Sequence, residues 1–307
     1  MPRNVHVDKA LTNMSVAYMY NKPYVWTQFP SIGNVRETDL YWKWDKEYWG
    51  RIEAAKRARG KPAVRAEYKG QTASFICDEW ALAHEINERD ERDADQVIDL
   101  RRQGSEFVTD NVLKAYENMI AGEVFKASTW GTSDVTPGVL WSTPGTADPV
   151  GDIDLGKRTV RIASNGTEPN TLICGSEVFD ELRVVSQLTD MYKHTVPGPL
   201  TQQLVAAALG LERIIICKTV KNTAVEKTTT SYTGAEIWNG KNALLCYLEY
   251  SPGPMKPSAF YVFKNRDMRL RRWFEDETEN TVVEASIIGT LVRTATDLGY
   301  YFSGAVA

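Results

Sequence analysis

The chain has 307 residues, of which 43% are hydrophobic and 25% charged, a composition typical of globular proteins. Its net charge of −4 excludes nucleic-acid binding through overall positive charge, so any contact with DNA has to be local or weak. No apolar run approaches the about 18 residues that a membrane span needs, and no apolar signal-peptide segment follows the first residues. The length allows one large domain or two smaller ones.

Residues 1–37 carry many aromatic side chains without a helical or strand period. Tyr24, Trp26 and Phe29 alternate with prolines and polar residues. The segment is too apolar for a disordered tail and too irregular for a core element. We predict an extended arm that packs on another surface.

Residues 38–77 read as a long two-stranded hairpin, which we expect to lie across a neighbouring molecule. Alternation along the outgoing strand places Trp42, Trp44 and Tyr48 on one face. A lone hairpin is marginally stable in water, and exposed apolar faces usually mark interfaces. The basic tip, residues 50–61, carries five cations: Arg51, Lys56, Arg57, Arg59 and Lys61.

The basic tip has two possible partners. A cationic loop beside aromatic residues is typical of single-stranded nucleic-acid binders. The same chain also offers two acidic stretches, residues 85–99 and the turn Glu275, Asp276, Glu277 and Glu279. Pairing the tip with an acidic stretch on another subunit accounts for the basic and the acidic residues together, so we favour it over nucleic-acid binding. Of the two acidic stretches, we slightly prefer the turn as the partner.

A long helix is the strongest secondary-structure prediction. Apolar residues recur at three- and four-residue steps from Val97 to Val124, which predicts a helix over residues 95–126, about 45 Å long. Before it we predict a short helix over Asp78–Ile86 and a solvated helix start in the charged run of residues 88–93.

The following residues alternate between strands and helices, as in α/β packing. A loop-rich stretch, residues 127–169, contains Asp152–Ala163, which fits either helix or strand. The further predicted elements are strand Thr171–Cys174, a helix capped by Ser176, helix Thr201–Leu209 ending at Gly210, strands Ile214–Cys217, Ala243–Tyr250 and Ala259–Phe263, a hairpin of Met268–Glu275 and Thr281–Arg293, and a closing strand Tyr300–Phe302.

No motif for catalysis, cofactor binding or metal binding is found, and we predict no such site. The four cysteines, Cys77, Cys174, Cys217 and Cys246, each adjoin an apolar run and are expected to be buried free thiols. His6, His84 and His194 stand far apart. A Cys–His dyad formed in space stays open, because such partners need not be adjacent in sequence.

The order of these parts resembles the major capsid proteins of tailed bacteriophages, which have the HK97-like fold. The resemblance covers nearly the whole chain, and its most specific stretch is Trp141–Ala208. The strings that carry it are Asp148-Pro149, Asp152-Ile153, residues 168–172, Val178-Phe179, Leu182, and the 204–209 helix before Ile214–Cys217.

The resemblance implies an α+β capsid fold divided along the chain. Its parts are an N-terminal arm (1–37), an E-loop hairpin (38–77), a peripheral domain with a spine helix (78–130), an axial α/β domain (131–264), and a peripheral hairpin with a closing strand (265–307). Because the aromatic residues of the arm are spaced for lying along a surface and not for closing a core, we expect the arm to gain structure only from neighbouring subunits. Since the arm begins at once, we expect any scaffold to be a separate protein.

The implied role is structural, without enzyme activity. The protein would form pentamers and hexamers of an icosahedral virion shell around double-stranded DNA, assembled in the host bacterial cytoplasm. Its partners would be itself, a scaffold, a portal, possibly a decoration protein, and weakly the packaged DNA, with no membrane. Alternatives are an encapsulin-type nanocompartment shell and, from another class, an α/β hydrolase. Lys43, Lys46, Lys56 and Lys61 are available for a covalent crosslink, but nothing marks one as reactive, and none is predicted.

Overall fold

The computed structural model describes residues 23–43, 46–67, 70–93, 99–192, 200–224, 232–253 and 256–307. These residues form an α+β fold with two main sheets and one long helix. None of the helices within these ranges is long and apolar enough to cross a membrane.

Thirteen strands are present in the described ranges. They are β1 (Ser31–Ile32), β2 (Thr38–Lys43), β3 (Gln71–Ile76), β4 (Asp78–Asn87), β5 (Thr132–Val135), β6 (Thr171–Gly175), β7 (Arg213–Cys217), β8 (Val220–Asn222), β9 (Gly234–Glu236), β10 (Ala243–Cys246), β11 (Tyr261–Glu275), β12 (Asn280–Val292) and β13 (Gly299–Phe302).

Seven α-helices accompany the strands in the same ranges. They are α1 (Lys46–Trp49), α2 (Glu88–Asp93), α3 (Leu100–Val124), α4 (Pro149–Ala163), α5 (Ser176–Leu182), α6 (Ser186–Tyr192) and α7 (Gln202–Ala208). Short 3₁₀ turns occur at Val25–Gln28 and Thr296–Leu298.

The long helix α3 packs on a four-stranded sheet of order β1-β11-β12-β4. Asp99 caps its first turn by accepting a hydrogen bond from the backbone N–H of Arg102. Its apolar stripe is buried against the sheet and includes Val108, Val112 and Tyr116. The predicted helix is therefore confirmed, although Phe107, an apolar residue within it, is 54% exposed.

The second main sheet has five strands in the order β5-β13-β10-β6-β7. The helix alternative for residues 152–163 is the correct one, because α4 begins at Pro149 behind the cap Asp148 and packs on β10 and β13. The cap of α5 is Gly175, not Ser176 as predicted. Gly210 follows α7 with a positive φ of 59°, as expected of a residue that ends a helix. The closing strand β13 belongs to this sheet, not to the β11–β12 hairpin.

The prediction of a helix over Asp78–Ile86 is wrong. These residues form β4, which pairs antiparallel with β12 from Asn87↔Asn280 to Asp78↔Gly289. Alanine, leucine and glutamate favour a helix in isolation. Ten residues of ladder pairing to a strand about two hundred residues away outweigh that preference.

Part of the predicted arm is core. Val25, Trp26 and Phe29 are buried in the main hydrophobic cluster of their own chain. Trp26 packs edge-on against Tyr116 of α3, with ring centroids 5.2 Å apart, and β1 pairs with β11. The expectation that residues 1–37 gain structure only from neighbours is wrong for this segment, and residues 1–22 lie outside the described ranges.

Candidate assembly surfaces

The E-loop hairpin is regular only at its base. Strands β2 and β3 pair over six positions, from Thr38↔Ile76 to Lys43↔Gln71. Phe75 stacks on Phe263 of β11 with ring centroids 4.4 Å apart, which fixes the base to the four-stranded sheet. Beyond the ladder, the predicted strands are replaced by α1 and an irregular segment, residues 50–67.

The start of the loop lies on its own subunit. Nζ of Lys46 is 2.7 Å from Oδ2 of Asp297, in the turn before β13, and a Cβ at Gly50 would approach the Asn165 side chain to 3.6 Å. A cavity of about 300 Å³ between these groups is lined in part by Lys43 and Pro257. The loop therefore does not project freely from its base, and the pairing of Lys46 with Asp297 was not predicted from the sequence.

The aromatic face predicted for the hairpin is only partly described. Trp42 is 65% exposed on β2, as an interface residue requires. Trp44 lies outside the described residues, and Tyr48 belongs to the short helix α1, where strand alternation does not apply.

The basic tip is exposed over its whole length. Arg51, Lys56, Arg57, Arg59 and Lys61 are all exposed, and Ile52 among them is 96% exposed. Within the described ranges, no ion pair joins any of the last four cations to a carboxylate. Arg57 instead donates to the backbone oxygen of Lys61, which closes the tip on itself.

The turn and the described residues at the start of the first acidic stretch form one acidic patch at the end of the four-stranded sheet. The backbone N–H of Glu88 donates to the backbone oxygen of Glu279 at 3.0 Å, and Asn87 Nδ2 donates to Asn280 Oδ1 at 2.9 Å. The patch comprises Glu275, Asp276, Glu277 and Glu279 of the β11–β12 turn with Glu85, Glu88, Asp90 and Glu91 beside them.

Most of the carboxylates of the patch that have no ion-pair partner among the described residues lie on the turn. Glu88 pairs with Arg92, and Glu91 pairs with Arg101, whereas within the described residues no ion pair involves the turn carboxylates. Sequence reasoning missed the union of the two stretches because it placed Asp78–Ile86 in a helix. A strand there would have brought Glu85 and Glu88 beside the turn.

The cysteines offer no exposed nucleophile. All four are free and buried, as predicted. Burial raises the pKa of the Cys174 thiol to about 12 and also raises the pKa values of Cys217 and Cys246. His84 lies beside Phe107 at a centroid distance of 5.7 Å, while His6 and His194 are outside the described residues. Among the described residues, no group of three His, Cys, Asp or Glu side chains could hold a metal ion.

Comparisons with known proteins agree with this architecture. No family model matches the chain. The major capsid protein of Burkholderia phage BcepMu is 24% identical over 307 residues, covering 97% of this chain and 96% of that protein. A crystal structure of a phage-related protein from Bordetella bronchiseptica RB50 has a TM-score of 0.69 at 19% identity, covering 93% of this chain and 94% of its own.

A third match comes from an assembled particle. The subunit of the bacteriophage PhiM1 mature capsid has a TM-score of 0.59 at 11% identity, covering 94% of this chain and 89% of its own. Each structural match covers more than nine tenths of this chain. The chain therefore has the HK97-like capsid fold and is similar over nearly its whole length to the major capsid protein of a bacteriophage.

Proposed function

We propose that this protein is the structural shell subunit of an icosahedral bacteriophage head, forming pentamers and hexamers around double-stranded DNA, and that it has no enzyme activity. The observation that carries the proposal is similarity to a phage major capsid protein over 97% of the chain. The exposed E-loop supports it, because eighteen residues with so little internal packing are stabilised only by another surface.

The test is the mass of the purified full-length protein. Light scattering coupled to size exclusion should detect capsomers or closed shells, either alone or after addition of a scaffold protein. A monomer of 34.6 kDa at every concentration and with every scaffold tested would contradict the proposal.

The encapsulin alternative predicts the same particle with different contents. Shells purified from infected or lysogenic cells should contain double-stranded DNA if the protein is a phage capsid subunit. A cargo protein in place of DNA would favour the nanocompartment. The hydrolase alternative has no support from the described thiols, because they are buried and their pKa values are raised.

We further propose that the basic tip of one subunit contacts the acidic patch of the next. The tip has four cations that lack a carboxylate partner among the described residues, and the turn Glu275–Glu279 has the complementary excess. Trp42 and Ile52 would add apolar area to the same contact. Contacts with a separate scaffold, a portal, a decoration protein and packaged DNA remain proposals drawn from the resemblance.

A further inference from the structure

Glu117 is the one carboxylate that is fully buried among the described residues, and its hydrogen bonds are unequal. It lies on α3 with 0% exposure. Its Oε1 accepts three hydrogen bonds, from the indole N–H of Trp238 at 2.6 Å, the backbone N–H of Val25 at 3.4 Å and the hydroxyl of Thr219. Its Oε2 is equally buried and has no hydrogen-bond partner within the described ranges.

The three donors belong to separate parts of the fold. Val25 opens the N-terminal 3₁₀ turn, Thr219 follows β7 of the five-stranded sheet, and Trp238 follows β9. The Trp238 ring also packs edge-on against Phe29, at a centroid distance of 6.0 Å, and against Phe125, at 5.3 Å. Helix α3, which packs on the four-stranded sheet, is therefore hydrogen-bonded through Oε1 of Glu117 to three other parts of the fold. These are the loop after β7 of the five-stranded sheet, the loop after β9 and the N-terminal segment.

This arrangement suits a neutral carboxyl group better than a carboxylate. In the neutral form Oε1 is the carbonyl oxygen that accepts, and Oε2 carries the proton. In the ionised form Oε2 would hold negative charge in an apolar core without a donor, which is far more costly than a buried hydroxyl. Burial raises the pKa of Glu117, and the bonds from Thr219, Trp238 and Val25 oppose the rise without cancelling it.

Among the described residues, no cation forms an ion pair with Glu117. The titratable group that faces Glu117 from β7 is the Cys217 thiol, whose raised pKa has Glu117 as one of its causes. On α3 itself, the neighbouring Asn118 accepts from Lys221, and on β11 Lys264 lies over the Trp26 ring, 4.8 Å from its centroid.

We propose that Glu117 is a proton-operated clamp: as a neutral carboxyl group it holds the N-terminal segment, α3 and the loops after β7 and β9 together, and loss of its proton loosens this junction and admits water. The sign follows from linkage. Because the folded pKa lies above the unfolded value, the folded state binds the proton more strongly. Stability therefore falls as the pH rises from the unfolded pKa through the folded one, and the loss is complete above the folded pKa.

Hydrogen exchange of the full-length protein across a pH series tests the clamp. After correction for the intrinsic pH dependence of exchange, protection of the segments containing Val25 and Trp238 should fall at least several-fold in the wild type as the pH rises. Glu117→Gln keeps an Oε1 acceptor and cannot ionise, so its protection should stay flat. Glu123→Gln is the matched control on the same helix, because Glu123 forms partly exposed ion pairs with Arg293 and Lys126. Protection in this variant should change with pH as it does in the wild type. Equal pH slopes in the wild type and Glu117→Gln would overturn the proposal.

Infrared spectroscopy of the wild type keeps the test valid if Glu117→Gln does not fold. A protonated-carboxyl band should persist at pH values where exposed carboxylates are already ionised, and should vanish over the same pH range in which protection is lost. Glu117→Asp should shift this band. If the wild-type spectrum shows no protonated-carboxyl band at pH values where the exposed carboxyl groups are ionised, the clamp is refuted.

Discussion

Gly289 shows how closely α3 is seated on the four-stranded sheet. A Cβ at this position would lie 2.6 Å from the Tyr116 hydroxyl and 2.8 Å from the backbone oxygen of Phe263. Neither can move freely, because Tyr116 is fully buried and Phe263 belongs to the paired strand β11. The glycine is therefore required by space, not by backbone conformation.

Gly289→Ala should destabilise the subunit by about 1–3 kcal/mol through overpacking. The matched control is Gly122→Ala on the exposed side of α3, where a Cβ would meet nothing within 4 Å. That change should stabilise by about 0.5–1 kcal/mol, because alanine is the better helix former. Denaturant unfolding of both variants measures the difference, and equal effects of the same sign would contradict this account of the helix–sheet contact.

Three of the four thiols should be inert in the folded protein. Cys174, Cys217 and Cys246 are fully buried and their pKa values are raised, that of Cys174 to about 12. A thiol reagent at pH 8 should therefore modify them only after unfolding, since the thiolate is the reactive form. Rapid modification of one of these three in the native state would reopen the possibility of a nucleophilic role.

At the scale of elements, the N-terminal segment was predicted as an arm, but its residues around Phe29 are part of the hydrophobic core. Phe29 packs edge-on against Trp238 and Phe260, yet its neighbours in sequence give no periodic signal. The long helix was predictable because its apolar residues recur at three- and four-residue steps over several successive turns. The segment around Phe29 was not, because its partners lie over two hundred residues away.

Phe29→Ala should cost about 3–5 kcal/mol, as expected when a buried phenylalanine is truncated. Phe107→Ala provides the matched control, because Phe107 is 54% exposed and the same substitution there should cost less than about 1 kcal/mol. Thermal or urea unfolding compares the two. If both substitutions lower the free energy of unfolding by similarly small amounts, the segment is instead an arm that depends on neighbouring subunits.

Strand β4 could not be predicted from its own sequence either, because it too depends on a partner that is distant in the chain. Its composition favours a helix, and only pairing to β12 makes it a strand. The acidic residues of the patch were identified from sequence, but their union depends on that pairing. Likewise, the basic tip was evident as a charge run, whereas the Lys46–Asp297 ion pair joins residues that no local pattern connects.

At the scale of the whole molecule, the tip-to-patch contact can be tested by charge reversal. Arg57→Glu with Arg59→Glu should weaken assembly, and adding Glu275→Lys with Glu277→Lys in the same chain should partly restore it. Each exposed pair contributes only about 0.2–1 kcal/mol, but a shell repeats the contact many times. Sedimentation of assembled particles measures the yield, and higher salt should lower the wild-type yield through screening.

The control for this series is Arg57→Lys with Arg59→Lys, which keeps the charge and should assemble like the wild type. If reversal leaves yield and salt dependence unchanged, the tip is solvated and the exposed apolar residues alone hold the loop. If reversal weakens assembly and the compensating pair gives no rescue, the acidic partner is elsewhere.

Cryo-electron microscopy of the assembled protein tests the central claim most directly. The account predicts a closed icosahedral shell of pentamers and hexamers, in which residues 50–67 of each subunit lie on the adjacent subunit next to its Glu275–Glu279 turn. A protein that stays monomeric under all assembly conditions, or a shell in which these residues contact only their own subunit, would contradict it.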